Sequence, residues 1–169
     1  MPVLAGRLLL VRYIMLILAS KSPRRIDMLK KRGHEFEIIP SDIEENAPAI
    51  GGMRELPMFL ALKKALDVEK KSDKGDIVIA ADTIVYTDRP IGKPKDEDDA
   101  YKMLLSYSGN SHHVITGVSI IQAGMDNKIS FAVVSQVFFK EFSYEDIKDV
   151  ILPMAENGAE AIGSMGLDV

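Results

Sequence analysis

The chain has 169 residues, 47% of them hydrophobic and 27% charged, with a net charge of −4. That is enough for one domain with a real core, and the acidic balance argues against general nucleic-acid binding, which needs a basic surface. The absence of cysteine excludes a disulfide framework, thiolate metal sites and a cysteine nucleophile, and is compatible with the cytoplasm, where we expect the protein to work.

Residues 1–14 are apolar but interrupted by Arg7 and Arg12, too short for a membrane span and lacking a cleavage site with a polar region after it. We read them as a non-native extension and Met15 as the natural start, with a single domain over 15–169. Leu16 to Ala19 then reads as a short buried strand, Ser20 to Pro23 as a turn, and the following residues as an amphipathic helix with Ile26 and Leu29 on one side. Ser22 fits the N-cap and Pro23 the first helical position. A strand, tight turn and helix start present backbone N–H groups and the positive end of the helix dipole to an anion. Lys21, Arg24 and Arg25 crowd that same spot, where cations oppose the dipole, so an anionic partner explains them better than a solvated first turn.

The helix should end near Gly33. Phe36 to Ile39 reads as a second strand stopping at Pro40, and Ser41 to Gly52 as an acidic loop carrying Asp42, Glu44 and Glu45. A helix follows over Pro57 to Val68, with Lys63 and Lys64 beside its apolar face. Ile77 to Ala81 is apolar on consecutive positions, the mark of a strand buried on both faces, and is expected to end at Asp82-Thr83, with a shorter run Ile84–Tyr86 beyond. Ile91 to Pro94 is a constrained loop, Asp96 to Ser108 an acid-started helix. Val114–Ile121 and Ile129–Phe139 form two long strands around a hairpin signal at Gly124 to Asn127, and Ser143 caps a last helix to about Ile151. Alternating strands and helices with one long hairpin predict an α/β domain with a mixed sheet.

Asp82 is the sharpest chemical candidate. A carboxylate at the carboxyl end of a buried strand sits where open α/β sheets place ligands, although it could also cap a turn through its own side chain. Glu44 and Glu45 lie in a loop that could simply be solvated, and Lys64 could snorkel to water. Lys93 is held between Gly92 and Pro94, so its side chain can be aimed. His112, with Thr116 and Gly117, forms a further cluster, read as a structural hydrogen-bonding histidine or a substrate contact. The inventory of Lys21, Arg24, Arg25, Lys64, Lys93, Glu44, Glu45 and Asp82 suits a polyphosphate with a divalent ion. With no evident side-chain nucleophile, water attacks. Few histidines leave any metal to carboxylates, hence Mg²⁺ or Mn²⁺.

Four stretches carry a resemblance: Leu18-Ala-Ser-Lys-Ser-Pro-Arg-Arg25, Ala80-Ala-Asp-Thr-Ile-Val85, Ile91-Gly-Lys-Pro94 and Ser108-Gly-Asn-Ser-His-His-Val-Ile-Thr-Gly-Val118. Their order and spacing resemble the Maf family, the septum-formation-inhibitor-like nucleoside triphosphate pyrophosphatases. The resemblance implies two lobes around a long twisted mixed sheet, similar to the inosine triphosphate pyrophosphatases. It implies hydrolysis of a nucleoside triphosphate to the monophosphate and pyrophosphate with Mg²⁺ or Mn²⁺. On that pattern Asp82 accepts the proton of the attacking water, and Glu45 and Asp82 hold the metal. Lys64 belongs to the catalytic set. Ser20, Arg24, Arg25, Lys64 and Lys93 bind phosphates, and Arg24 with Thr83 influences base choice. His112 completes the substrate-binding set.

An uninterrupted Ser-Pro-Arg-Arg is similar to the subgroup acting on dTTP and UTP, which implies removal of modified pyrimidine nucleotides. The segment 152–169 departs from the family, and the glutamine that helps set base specificity there has no counterpart. A frameshift or truncation in the source gene is the expectation, leaving the C-terminal part altered. The rival readings are a catalytically impaired nucleotide-binding protein and a division regulator. No membrane and no stable nucleic-acid partner is expected, and a homodimer is left open.

Overall fold

The computed structural model describes residues 13–44, 52–88, 90–91 and 95–148. Strand β1 (Leu16–Leu18) enters first, its Ile17 and Leu18 only 2% and 3% exposed, so the short apolar run is a core strand. Helix α1 (Pro23–Lys31) follows with Ser22 at its N-cap and Pro23 in its first turn, as the turn chemistry predicts. Gly33 ends the helix in a left-handed conformation at φ 76°, which a side chain would resist. No residue of α1 is fully buried, and Ile26 and Leu29 are half-buried. The expected second strand shrinks to β2 (Glu37–Ile38), exposed on both residues and paired parallel to β1.

Helix α2 (Glu55–Glu69) starts one half-turn earlier than its proline suggests. Pro57 falls in the first turn, where an N–H has no helical acceptor to lose. Its buried side is Pro57, Leu60, Ala61, Ala65 and Val68, a helical spacing that lays one stripe on the sheet. Strand β3 (Ile77–Tyr86) pairs parallel with β1 and antiparallel with β4 (Pro90–Ile91). Helix α3 (Glu97–Tyr107) is capped by Asp96, whose side chain accepts from the Asp99 N–H. Strands β5 (Ser111–Gln122) and β6 (Lys128–Phe138) form the expected hairpin, longer at the start than the apolar run alone indicates. The expected last helix is present over 144–148, and its end at Ile151 lies outside the described residues. So do residues 1–12 and 149–169, and with them most of the N-terminal extension and all of the atypical tail.

The sheet is mixed, in the order β2-β1-β3-β5-β6 with β4 against β3. The core sits between this sheet and α2: Ile17, Val78, Ala80 and Ile121 from the strands, with Ala19 just after β1, meet Ala65 and Val68. One expectation is corrected. Asp82-Thr83 does not end a strand; β3 runs unbroken for 10 residues, and Asp82 faces Gly117 in the middle of the β3–β5 ladder. Pairing with the long β5 carries the chain through two polar residues that locally read as a stop.

Candidate active site

The site grows from a gap in the sheet. One edge of β3 is held by β5 along its whole length, from Ile77 to Tyr86. The other edge is held by β1 only at Ile77–Ile79 and by β4 only at Val85 and Tyr86. Between these two short neighbours, on this edge, no strand among the described residues lies beside Ala80 to Ile84. The chain leaving β1 turns at Ser20 and delivers α1 to that opening.

Neighbouring residues of a strand point to opposite faces, so Asp82 and Thr83 line the gap from two sides. Asp82 shares the face of Val78 and Ala80, over which α2 lies. Lys64, on α2, donates to Asp82 Oδ1 at 2.6 Å, and the two side chains are only 13% and 10% exposed. The ammonium stabilises the charged carboxylate in a place poor in water, and the pair fixes both rotamers.

Gly117 makes that approach of α2 possible. It lies directly opposite Asp82, and a Cβ there would run into the backbone of Pro57 and Met58. A glycine inside a strand is a signal of close backbone approach, and it is one that sequence reasoning grouped with His112 without giving it this role.

On the other face Thr83 pairs with Thr116 in register, with their hydroxyl oxygens 3.0 Å apart. Arg25, in the first turn of α1, donates to Thr83 Oγ1 at 3.1 Å and to the Ala81 carbonyl at 2.9 Å. It also reaches Ser20 Oγ at 3.4 Å, and that oxygen accepts from the Ser22 N–H at 3.2 Å. The planar guanidinium thus satisfies the strand carbonyl that a longer β1 would have paired.

The acidic loop is tied down at its start. Asp67 on α2 accepts from the Asp42 N–H at 3.1 Å and the Ser41 hydroxyl at 3.2 Å, and Lys71 bridges Asp42 and Asp67. The Asp42 N–H chiefly, helped by Lys71 and Ser41, holds the Asp67 carboxyl below its usual range.

The predicted residues therefore fall into groups. Ser20, Arg25, Lys64, Asp82 and Thr83 converge on the gap from α1, α2 and β3. Arg24 is on the exposed side of the same helix turn. His112 lies on β5 packed edge-on to Tyr107, with ring centres 4.8 Å apart, and 4.9 Å from Phe139. It is 3% exposed, and neither ring nitrogen has a hydrogen-bond partner among the described residues. Burial, reinforced by His113, pushes its pKa down, so the ring is neutral in a small aromatic cluster. Glu45 and Lys93 lie outside the described residues.

Among the described residues no three His, Asp or Glu side chains gather as a ligand set for a metal. A single buried carboxylate such as Asp82 still suits Mg²⁺, which keeps its waters and takes one or two carboxylates plus substrate phosphate oxygens. No described helix is long and apolar enough to cross a membrane.

The chain is 44% identical over 150 residues to a dTTP/UTP pyrophosphatase of Alkaliphilus oremlandii, covering 87% of this chain and 78% of the relative. It is also 44% identical over 158 residues to a dTTP/UTP pyrophosphatase of Caldicellulosiruptor bescii, covering 89% and 79%. In fold it is similar to a HAM1 protein from Coxiella burnetii, with a TM-score of 0.52 at 15% identity over 73% of this chain and 72% of that one. The Staphylococcus aureus Ham1 protein gives a TM-score of 0.50 at 19% identity over 72% and 70%. The profile of Maf-like proteins matches residues 15–168, and the chain belongs to the Maf family.

Proposed function

We propose that this protein hydrolyses a nucleoside triphosphate, dTTP or UTP or a modified pyrimidine relative, to the monophosphate and pyrophosphate. The observation that carries the reading is the buried Lys64–Asp82 pair beside the open edge of β3, with Arg25 and Thr83 across it. The relatives named as dTTP/UTP pyrophosphatases support the substrate class.

Water attacks the α-phosphorus, its proton passes to an Asp82 carboxylate oxygen, and the α–β anhydride bond breaks with pyrophosphate leaving. Lys64 holds Asp82 in place before the step and balances its charge. Ser20, Arg24 and Arg25, at the start of α1, bind phosphate oxygens, with Lys93 beyond β4. Fixed cations of this kind stabilise the charge that develops on the leaving group. Thr83, beside Arg24 and Arg25, influences base choice. Asp82 and Glu45 would hold a divalent ion, Mg²⁺ or Mn²⁺, which supplies further neutralisation of the triphosphate. His112 stands in the substrate-binding set on the family resemblance, and its own ring contacts are Tyr107 and Phe139. We assign the reaction to the cytoplasm, for which the lack of cysteine is the support.

We also propose a homodimer. Its support is β6, an 11-residue strand without proline or charge after Lys128, paired to β5 without a bulge and leaving Ile129, Phe131 and Val133 exposed on one face. Among the described residues β6 is an edge strand, and an edge of this kind pairs readily with a second antiparallel copy of itself. Light scattering on the eluting protein decides between one copy and two.

A panel of nucleoside triphosphates assayed for pyrophosphate, with Mg²⁺, with Mn²⁺ and with chelator, tests the activity. Pyrophosphate from dTTP or UTP that disappears in Asp82→Asn, while triphosphate binding remains, is the expected result. Binding without release in the unaltered protein would make it a nucleotide sensor instead.

A further inference from the structure

We infer that Thr116 is a positioning residue for base choice: its hydroxyl sets Thr83 and, through Thr83, the Arg25 guanidinium, without itself touching the nucleotide. The inference rests on the proposed role of Thr83 in base recognition.

A guanidinium has donors only, so at 3.1 Å from Arg25 Nη2 the Thr83 oxygen must accept. With one lone pair committed there, Thr83 keeps one proton and one lone pair to place. Thr116 Oγ1, at 3.0 Å on the adjacent strand and in direct register, takes one of them. The two hydroxyls thereby lock each other, and both side chains are β-branched with little χ1 freedom. Thr116 is half-buried behind this contact, on β5, while α1 and the open edge of β3 lie on the far side of Thr83.

The hydroxyl of Thr83 is the kind of group that selects between bases only if its direction is fixed. A rotor free to donate or accept recognises both a carbonyl and an amino group. Arg25 pins it from the α1 side and Thr116 from the β5 side. Arg25 is itself restrained by the Ala81 carbonyl at 2.9 Å, so the arrangement has little slack. Valine at 116 keeps volume, branching and strand preference and removes only the hydroxyl. Thr83 then loses that partner, and the freed side of its hydroxyl turns to other groups, the substrate included.

The test compares the unaltered chain with Thr116→Val, Thr116→Ser, Thr83→Val and the double variant Thr83→Val/Thr116→Val. Each is assayed for kcat/KM on dTTP and dGTP, and the thermal midpoint is recorded. Equilibrium binding of the same two nucleotides in an Asp82→Asn background gives a readout that does not depend on turnover. The dTTP-to-dGTP ratio is expected to fall about five- to tenfold in Thr116→Val, the scale of one neutral hydrogen bond. It should return in Thr116→Ser, and the double variant should match Thr83→Val alone. A ratio unchanged in Thr116→Val but lowered in Thr83→Val overturns the inference and spares the reading of Thr83. A ratio unchanged in Thr83→Val overturns both. Equal loss on the two nucleotides with a lowered midpoint also overturns it, since a merely structural threonine would act that way.

Discussion

Replacing Lys64 by methionine removes the ammonium and keeps most of the side-chain volume in a position only 13% exposed. At 2.6 Å, with an effective dielectric constant near 20, the gross attraction to Asp82 is about 6 kcal/mol. Most of that offsets the desolvation of two charges, so the pair as a whole contributes little. Breaking it is another matter, because the remaining carboxylate stays in a water-poor site, and such truncations cost roughly 3–5 kcal/mol. Lys64→Met should therefore lose about that much stability in urea unfolding, and Asp82→Asn a comparable amount. The double variant should recover at least about 2 kcal/mol of the sum, since it leaves no buried charge behind. Pyrophosphate release should fall about a hundredfold or more in Lys64→Met, the scale of losing one charged group from a preorganised site. If each single change costs under about 1 kcal/mol and the two add, the pair behaves as a solvated surface bridge and the argument for a desolvated acid fails.

Three further outcomes follow from the same packing. Gly117→Ala drives a methyl group into the backbone of Pro57 and Met58 and should cost about 2–3 kcal/mol in urea, with Lys64 displaced from Asp82 and activity reduced. His112 has a folded-state pKa below its unfolded value near 6.5, so the unfolded chain binds more protons as the solution acidifies. Stability should be flat above pH 7 and decline as pH falls through 6.5, by at most about 1.4 kcal/mol per pH unit, and His112→Phe should remove that slope. Asp76, 5% exposed, accepts from the Met15 N–H and the Asp73 N–H, each at 3.1 Å. Asp76→Ala should cost roughly 1–3 kcal/mol and speed hydrogen exchange at the Met15 amide.

The parts of the fold that could be read from the sequence are those with a local cause. Pro23 and Gly33 bracket α1 because one lacks an N–H the first turn does not use and the other accepts a positive φ. The apolar stripe of α2 and the β5–β6 hairpin follow from periodicity and a turn signal. What was not legible had a distant cause. Asp82 and Thr83 look like the end of a strand, and only the partner β5, some 35 residues on, keeps the chain extended through them. The same pairing distance hid Thr116 behind Thr83. Arg25 and Arg24 are adjacent and chemically identical, and nothing local tells which of them turns to the Ala81 carbonyl; helix phase against the sheet edge decides it. Gly117 did carry a signal, being a lone glycine among Val, Ile and Thr, but its meaning needed Pro57 across the layer.

The position of Asp82 within the strand, rather than at its end, bears on how the chemistry can work. A residue at a strand end is held by one neighbour and moves with the following loop. Asp82 is held by the β5 ladder on one edge and by the Lys64 ammonium above, while its other edge is open. That opening exists because β1 stops at Leu18 and β4 begins only opposite Tyr86 and Val85. Extending β1 by two residues would satisfy the Ala81 carbonyl with an N–H and close the gap, so Arg25 would have nothing to bind there. On the proposed function the short first strand is a constraint: it would leave room for a ligand beside a rigid acid, and Arg25 meets the hydrogen-bonding need of the Ala81 carbonyl. Rigidity and access usually oppose each other in a sheet, and here one strand supplies the first while the shortness of its two neighbours supplies the second.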